Sequence, residues 1–326
     1  MKNGLVNVIC AMALLSGCPT STPMGTDSGP SGTDTGPVGT DAPPTGCTDS
    51  TGLPCLAVGS ATANMPADMA CTPSEPAAGT AMDRTLRLVS FGTSTTPIPN
   101  GAFEIWPGNA VGATCTAPDC VALMSGTDST VTTSLDDGFF AYRVPQNGAA
   151  MTYTAIGYNR SPEASGNTDI VTIPSSLFMT AIGLIRSGFM ADPADGILTG
   201  DVSDCDGENV RGATIRIFDS AGAEIDMSDT GALTPGLAYR RDGVLPSASL
   251  TTTDYSGGYA AGNLPILADP RVAVVAYGTT EMGGTRDVIG CEEVVIGTNA
   301  ITILSFGPYR SDYPAGNLCL MHAPTP

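Results

Sequence analysis

Thr214-Ile215-Arg216-Ile217-Phe218 alternates apolar and polar side chains, placing Ile215 and Ile217 on one face and Arg216 on the other. That alternation belongs to a half-buried β-strand. Runs of the same kind recur on both sides of it, each bounded by Gly, Pro, Asn or Asp. A first series comprises Leu86–Ser90, Ala102–Trp106, Phe139–Val144, Thr152–Tyr158, Ile170–Ile173 and Phe178–Ile185. A second comprises Leu198–Val202, Thr214–Phe218, Tyr259–Ala261, Val272–Tyr277, Val294–Ile296 and Ile301–Ser305. No window sustains a helical repeat, and Lys, Glu and Leu, the good helix formers, are scarce. Many short strands at this spacing predict an all-β sandwich chain.

The two series echo each other. Asn100-Gly101-Ala102-Phe103-Glu104-Ile105 matches Arg211-Gly212-Ala213-Thr214-Ile215-Arg216. Ser134-Leu135-Asp136-Asp137-Gly138-Phe139 matches Thr253-Asp254-Tyr255-Ser256-Gly257-Gly258-Tyr259, and a proline follows each (Pro145, Pro265). Thr152–Tyr158 matches Val272–Gly278. The matched pieces stand about 110–120 residues apart, the length of one sandwich domain. This predicts a tandem repeat, residues 84–190 and 193–310, with the boundary near Asp192-Pro193-Ala194-Asp195.

Gly200-Asp201-Val202, Cys205-Asp206-Gly207, Gly212-Ala213-Thr214-Ile215, Thr253–Tyr259, Leu264-Pro265 and Val272-Ala273-Val274-Val275-Ala276 together resemble the carboxypeptidase regulatory-like domain. The resemblance covers residues 195–305. The copy at 84–186 keeps Gly101-Ala102, Asp137-Gly138-Phe139 and Val144-Pro145 but loses the Gly-x-Val opening. The resemblance implies an immunoglobulin/transthyretin-like β-sandwich of about seven strands in each copy. The motifs are folding signals: a small Gly-Ala pair allows close strand approach, and Asp-x-x-Gly-x-aromatic turns the chain and sends a ring into the core. The metalloprotease His and Glu ligands of the enzymes that give the family its name have no counterpart here.

The N-terminus predicts location. Lys2 precedes a short apolar run that ends in Leu15-Ser16-Gly17-Cys18. A charged start, an apolar stretch too short to span a bilayer and small residues before a cysteine resemble a bacterial lipoprotein signal, residues 1–17, with Cys18 as the lipidated residue. Pro19 in place of Asp after that cysteine favours the outer membrane or cell surface. Residues 18–46, almost entirely Thr, Ser, Gly, Pro and Asp, bury too little apolar area to offset the entropy of ordering. They predict a tether with a reach of about 30 Å.

Beyond residue 17 there is no lysine, and 32 acidic residues over the whole chain face 13 basic ones. Such a surface repels nucleic acid and anionic headgroups, which removes both as partners; the membrane is reached through the lipid alone. Eight cysteines follow Cys18: Cys47, Cys55, Cys71, Cys115, Cys120, Cys205, Cys291 and Cys319. An even count in an exported chain reads as disulfides. Cys115 and Cys120 flank a turn-forming Thr-Ala-Pro-Asp. Cys205 and Cys291 fall in one expected domain, which leaves Cys47–Cys55 and Cys71–Cys319 by elimination. Residues 47–83 read as an irregular cysteine-bearing segment and 311–326 as a C-terminal tail.

Little catalytic chemistry is legible. His322 is the sole histidine and lies in the tail, which argues against a Ser-His-Asp triad. Asp201, Asp204, Asp206 and Glu208 form the densest oxygen-ligand cluster, so calcium is the one cofactor to consider; an Asp-Gly turn explains the same residues. Trp106 ends a strand, where it either stacks on a sugar ring or closes the sandwich. Asp136-Asp137 and Arg240-Arg241 read as solvated loop charges. The expected function is a non-enzymatic envelope protein for adhesion, scaffolding or recognition of an extracellular protein or glycan. A carbohydrate-binding module and a hydrolase working through carboxylates are the alternatives.

Overall fold

The computed structural model describes residues 46–325 apart from 61–62, 72, 75–79, 91–95, 137, 147–153, 164–165, 175–181 and 242–244. The signal segment, Cys18 and the tether up to residue 45 lie outside the described residues. The fold is all-β, as the alternation predicts. A hairpin of β1 (Ala57–Ser60) and β2 (Ala63–Pro66) comes first. The first series holds β3 (Met82–Ser90), β4 (Thr96–Pro97), β5 (Ala102–Pro107), β6 (Val121–Met124), β7 (Thr130–Leu135), β8 (Phe140–Val144), β9 (Thr154–Arg160) and β10 (Asn167–Thr172). The second holds β11 (Gly196–Val202), β12 (Thr214–Phe218), β13 (Gly236–Arg241), β14 (Leu245–Ser247), β15 (Gly258–Leu264), β16 (Arg271–Gly278), β17 (Asp287–Val295) and β18 (Ala300–Phe306).

A nine-stranded sheet runs β14-β13-β15-β11-β18-β9-β8-β5-β6. Second-series strands fill one side of it and first-series strands the other. The junction is a parallel pair, β18 with β9, that aligns Ile301 with Ala155 and Thr302 with Ile156. Side-chain alternation along the junction then assigns the layers. Ile156, Tyr158, Leu304 and Phe306 share one face, and the sheet β12-β16-β17 packs there through Ile215, Ile217, Val272 and Val274. Ala155, Tyr142 and Ile105 take the opposite face, under the sheet in which β3 is flanked by β10, β4 and β7. Two sandwiches therefore share one sheet and use opposite faces of it. Their cores are not sealed from each other: Trp106, Ala141, Ile156 and Tyr158 belong to the same cluster as Leu198, Tyr259 and Val294. The Tyr158 hydroxyl takes the Val295 N–H at 2.9 Å.

Phe178–Ile185 is not a strand where it is described. Residues 182–189 turn instead, with Ile185 N–H bonded to Ile182 O at 3.0 Å, and they lay Ile182, Ile185 and Phe189 over Ile197, Ala238 and Ile301. The spacing of those three side chains suits a helical turn better than a strand.

Residues 46–71, expected as irregular, carry the β1–β2 hairpin and lie against the second series. Leu56 N–H donates to Thr279 O at 2.8 Å, and Ala57 and Arg211 exchange backbone bonds at 3.2 and 2.9 Å. Leu56, Val58 and Ala67 enter the second-series core. Gly212 permits the approach: it sits at φ +82°, and a Cβ there would fall 2.5 Å from the Cys55 carbonyl oxygen. The second unit is thus assembled from chain on both sides of the first.

Among the described residues four disulfides are formed. Cys47–Cys55 and Cys115–Cys120 pair as expected. The other two do not: Cys71 pairs with Cys205 and Cys291 with Cys319, in place of Cys205–Cys291 and Cys71–Cys319. Cys205 lies in the turn after β11, where its N–H bonds Asp68 O at 2.9 Å and so meets the N-terminal segment. Cys291 lies within β17, which the C-terminal segment covers: the Tyr313 hydroxyl donates to Cys291 O, and Leu318 N–H reaches Glu293 Oε2 at 2.7 Å. Membership of one domain does not bring two cysteines within bridging distance. In the chain-entropy account, closing the Cys71–Cys205 separation of 134 residues is worth about 5 kcal/mol.

A buried ion pair pins the same segment. Asp49 Oδ2 lies 2.9 Å from Arg286 Nη1, with Thr51 N–H and Leu53 N–H on its other oxygen at 2.8 and 2.9 Å. Burial opposes ionisation, yet the Arg286 guanidinium and the Thr51 and Leu53 donors outweigh it and hold the carboxyl at about 2. A depressed carboxyl stabilises the fold above the unfolded pKa, near 4, and that contribution is lost as pH falls through 2. Asp49→Ala is expected to lower stability at pH 7 by about 2 kcal/mol and to flatten the acid limb between pH 4 and 2. Urea unfolding across that range checks it; parallel curves for the two proteins would contradict it.

Candidate functional site

The expected calcium ligands are not brought together. Asp204 Oδ1 accepts from Asp206 N–H and Glu208 N–H, both at 3.0 Å, so its carboxylate closes the Asp-Gly turn. Its second oxygen takes Asp68 N–H at 3.3 Å. Asp206 and Glu208 are exposed beside it, whereas Asp201 is buried in β11. Among the described residues no three His, Cys, Asp or Glu side chains are placed to hold a metal ion. The cluster is a turn with a capped backbone.

Trp106 is 1% exposed and presents no ring face to a sugar. It fills the core beside Ala141, and Arg143, itself paired with Glu104 at 2.5 Å, lies 4.8 Å from its ring centre. The feature that suggested a carbohydrate module closes the sandwich instead. His322 lies against Phe218 with ring centres 4.1 Å apart, and burial pushes its pKa down. It is a packed ring at the C-terminal segment.

Arg240, read from sequence as a solvated loop charge, is buried in β13. Its Nη2 donates to Gly200 O at 2.9 Å, and its guanidinium lies over Gly258, where a Cβ would meet Nε at 2.2 Å. Asp201 and Asp254 are within its electrostatic reach, and burial outweighs them to push its pKa down. Burial likewise raises Asp201, against Arg240 and a hydrogen bond from Ser305. Tyr259 is fully buried on the opposite side of the same strands, its hydroxyl bonded to Leu304 O at 3.3 Å, and burial raises it well above the ordinary tyrosine value. These groups are sealed from solvent, and none pairs a nucleophile with a base. They hold sheet strands in register.

The arginines as a set define the outer surface. Arg87, Arg143, Arg216, Arg271, Arg286 and Arg310 are ion-paired with carboxylates. Arg84, Arg160, Arg186 and Arg240 donate to backbone carbonyls, Arg241 donates to Ser249, and Arg211 is buried. Every arginine is thus occupied by the fold, while Asp119, Asp128, Asp206, Glu208, Asp226 and Asp229 stand exposed. The composition pointed to an acidic surface; which cations the fold consumes internally depends on tertiary placement.

No family model matches the chain, and no curated protein matches it. Among solved structures it is similar to the minor pilin GBS52 of Streptococcus agalactiae, at 12% identity over 71% of this chain and 98% of that one, with a TM-score of 0.23. It is also similar to the shaft pilin SpaA of Lactobacillus rhamnosus GG, at 13% identity over 70% and 98%, with a TM-score of 0.21. The Bacillus anthracis TIE protein gives 12% identity over 70% of this chain and 34% of that one, with a TM-score of 0.19. At such TM-scores these likenesses carry no argument here.

Proposed function

We propose that this chain is a lipid-anchored, non-enzymatic protein of the bacterial cell envelope that presents a rigid, acidic β-scaffold for adhesion or recognition of an extracellular partner. The observation that carries this reading is the distribution of charge: all twelve arginines are engaged within the fold, while several carboxylates stand exposed on its surface. The chain carries a net charge of −19, and an acidic excess of this kind favours cationic partners. The four disulfides suit an oxidising extracytoplasmic compartment. The carboxypeptidase regulatory-like resemblance of residues 195–305 fits a scaffold module, and a lipid on Cys18, directed by the lipoprotein-like segment before it, would be the anchor on the outer membrane.

Cys18→Ser tests the anchor. The variant is expected to leave an unprocessed or soluble species that incorporates no labelled palmitate. Unchanged partitioning into the detergent phase would refute lipidation at Cys18.

A further inference from the structure

Most sheet edges among the described residues are blunted. β14 carries Pro246, and β12 is covered by its own returning chain, where Ile225 N–H bonds Ile217 O at 2.9 Å. β17 lies under the C-terminal segment, and the β10 carbonyls of Asp169 and Val171 are taken by Arg160 and Tyr142. The outer strand β7 offers a row of Thr and Ser. The far edge of the nine-stranded sheet, β6, shares with β7 the lack of charge and proline but differs in being wholly apolar: Val121-Ala122-Leu123-Met124, with Met124 64% exposed. An apolar edge without a blunting device is a template for strand addition.

The register shows which groups are available. Ser125 N–H bonds Gly101 O at 2.9 Å, and β5 pairs with β6 as Ala102↔Met124 through Ile105↔Val121. Antiparallel ladders alternate, so Leu123 and Val121 bond to β5, while the N–H and C=O groups of Ala122 and Met124 point away from it. No described strand pairs with that outer side. Exposed Asp119 and Asp128 flank the strand, and hydrogen bonds from Thr130 lower the pKa of Asp128 and keep it ionised.

We infer that β6 is a strand-addition site for an extended polypeptide segment with an uncharged centre and basic ends, main-chain bonds going to Ala122 and Met124 and the basic ends to Asp119 and Asp128. Charge complementarity selects this occupant: a second copy would set Asp119 and Asp128 against their equals on a chain of net charge −19, which opposes self-pairing. The inference names the partner class for the recognition reading above and rests on it.

The test uses the whole folded protein and three fluorescent peptides built on alternating Val-Thr, one with Arg at both ends, one with Glu at both ends and one with a central Pro. Anisotropy is expected to show saturable binding of the Arg-ended peptide only, weakened about tenfold by Ala122→Pro. That substitution removes an outward N–H and no ladder bond, so the melt should not change. Met124→Lys, which leaves the backbone intact and adds a repelling charge, should weaken binding similarly and covers the case in which Ala122→Pro misfolds. Asp119→Asn with Asp128→Asn should reduce the salt dependence of binding. Equal binding by wild type and both edge variants would overturn the β6 site while leaving recognition elsewhere intact. Binding of none of the peptides would overturn the site and count against the cationic-partner reading as well. A dimer in sedimentation equilibrium that Ala122→Pro abolishes would overturn the choice of occupant.

Discussion

Residues 193–310, expressed alone with an oxidising export signal, should give no cooperative melt, whereas residues 46–325 should melt in one transition. The sequence alone predicts for this fragment an internal Cys205–Cys291 bridge and a complete sandwich. In the fold it loses Leu56, Val58 and Ala67 from its core, the Cys71 and Cys319 partners of both its cysteines, and β9 from the open side of β18. Leu56 and Val58 each contribute roughly 1.5–3 kcal/mol, the Ala67 methyl under about 1 kcal/mol, and each lost bridge about 2–5 kcal/mol. Together these come to roughly 8–17 kcal/mol, as large as the roughly 5–15 kcal/mol that keeps a domain folded. Circular dichroism during heating decides it: a sharp strand-type melt of the fragment would mean that the second unit is self-sufficient.

Arg240→Ala is expected to be the most damaging single substitution away from the cysteines, costing about 3–5 kcal/mol in urea unfolding at pH 7. The loss would leave the Asp201 carboxylate buried without its cation and open a void over Gly258. At this chain length each kcal/mol moves Tm by roughly 2–4 °C, so a fall of about 6–20 °C should accompany it. The double variant Asp201→Asn with Arg240→Met should cost less than Arg240→Ala, because the charge at Asp201 is removed with its cation and little void remains. An Arg240→Ala protein within about 1 kcal/mol of wild type would show that Arg240 is not a buried counter-charge.

The sequence carried much of the fold because alternation survives wherever a strand has one buried face. Thr214–Phe218 is β12 to the residue, and the expected runs at 86–90, 102–106, 198–202 and 272–277 each fall inside a strand. Strands without that signature escaped. Gly236-Leu237-Ala238-Tyr239-Arg240-Arg241 is poor in β-branched residues, and it is a strand because β15 and β14 flank it and Gly258 leaves room for Arg240. The start of β17 is obscured by Gly290, Glu292 and Glu293, whose polarity is met by the C-terminal segment: Arg310 faces Glu292, and Leu318 N–H bonds Glu293. Edge strand β6 has too few residues for a period to register.

The same limit governs the candidate sites. Cys115–Cys120 was legible because the turn between the cysteines is local. Cys71–Cys205 was not, because a bridge over 134 residues depends on the path of the chain, and nothing in the local spacing reports that 46–71 returns to the second series. Trp106 and Asp204 carry the residue types of a sugar platform and a calcium loop. Burial of the first and the backbone bonds of the second give them structural roles.

That return of the N-terminal segment is the central feature of the molecule, and proteolysis of the unreduced protein followed by mass spectrometry of the cross-linked peptides tests it most directly. A peptide containing Cys71 joined to one containing Cys205, together with Cys291 joined to Cys319, is the expected result. A Cys205–Cys291 cross-link, or an alkylatable thiol at Cys71, would contradict it and restore a second unit closed on itself.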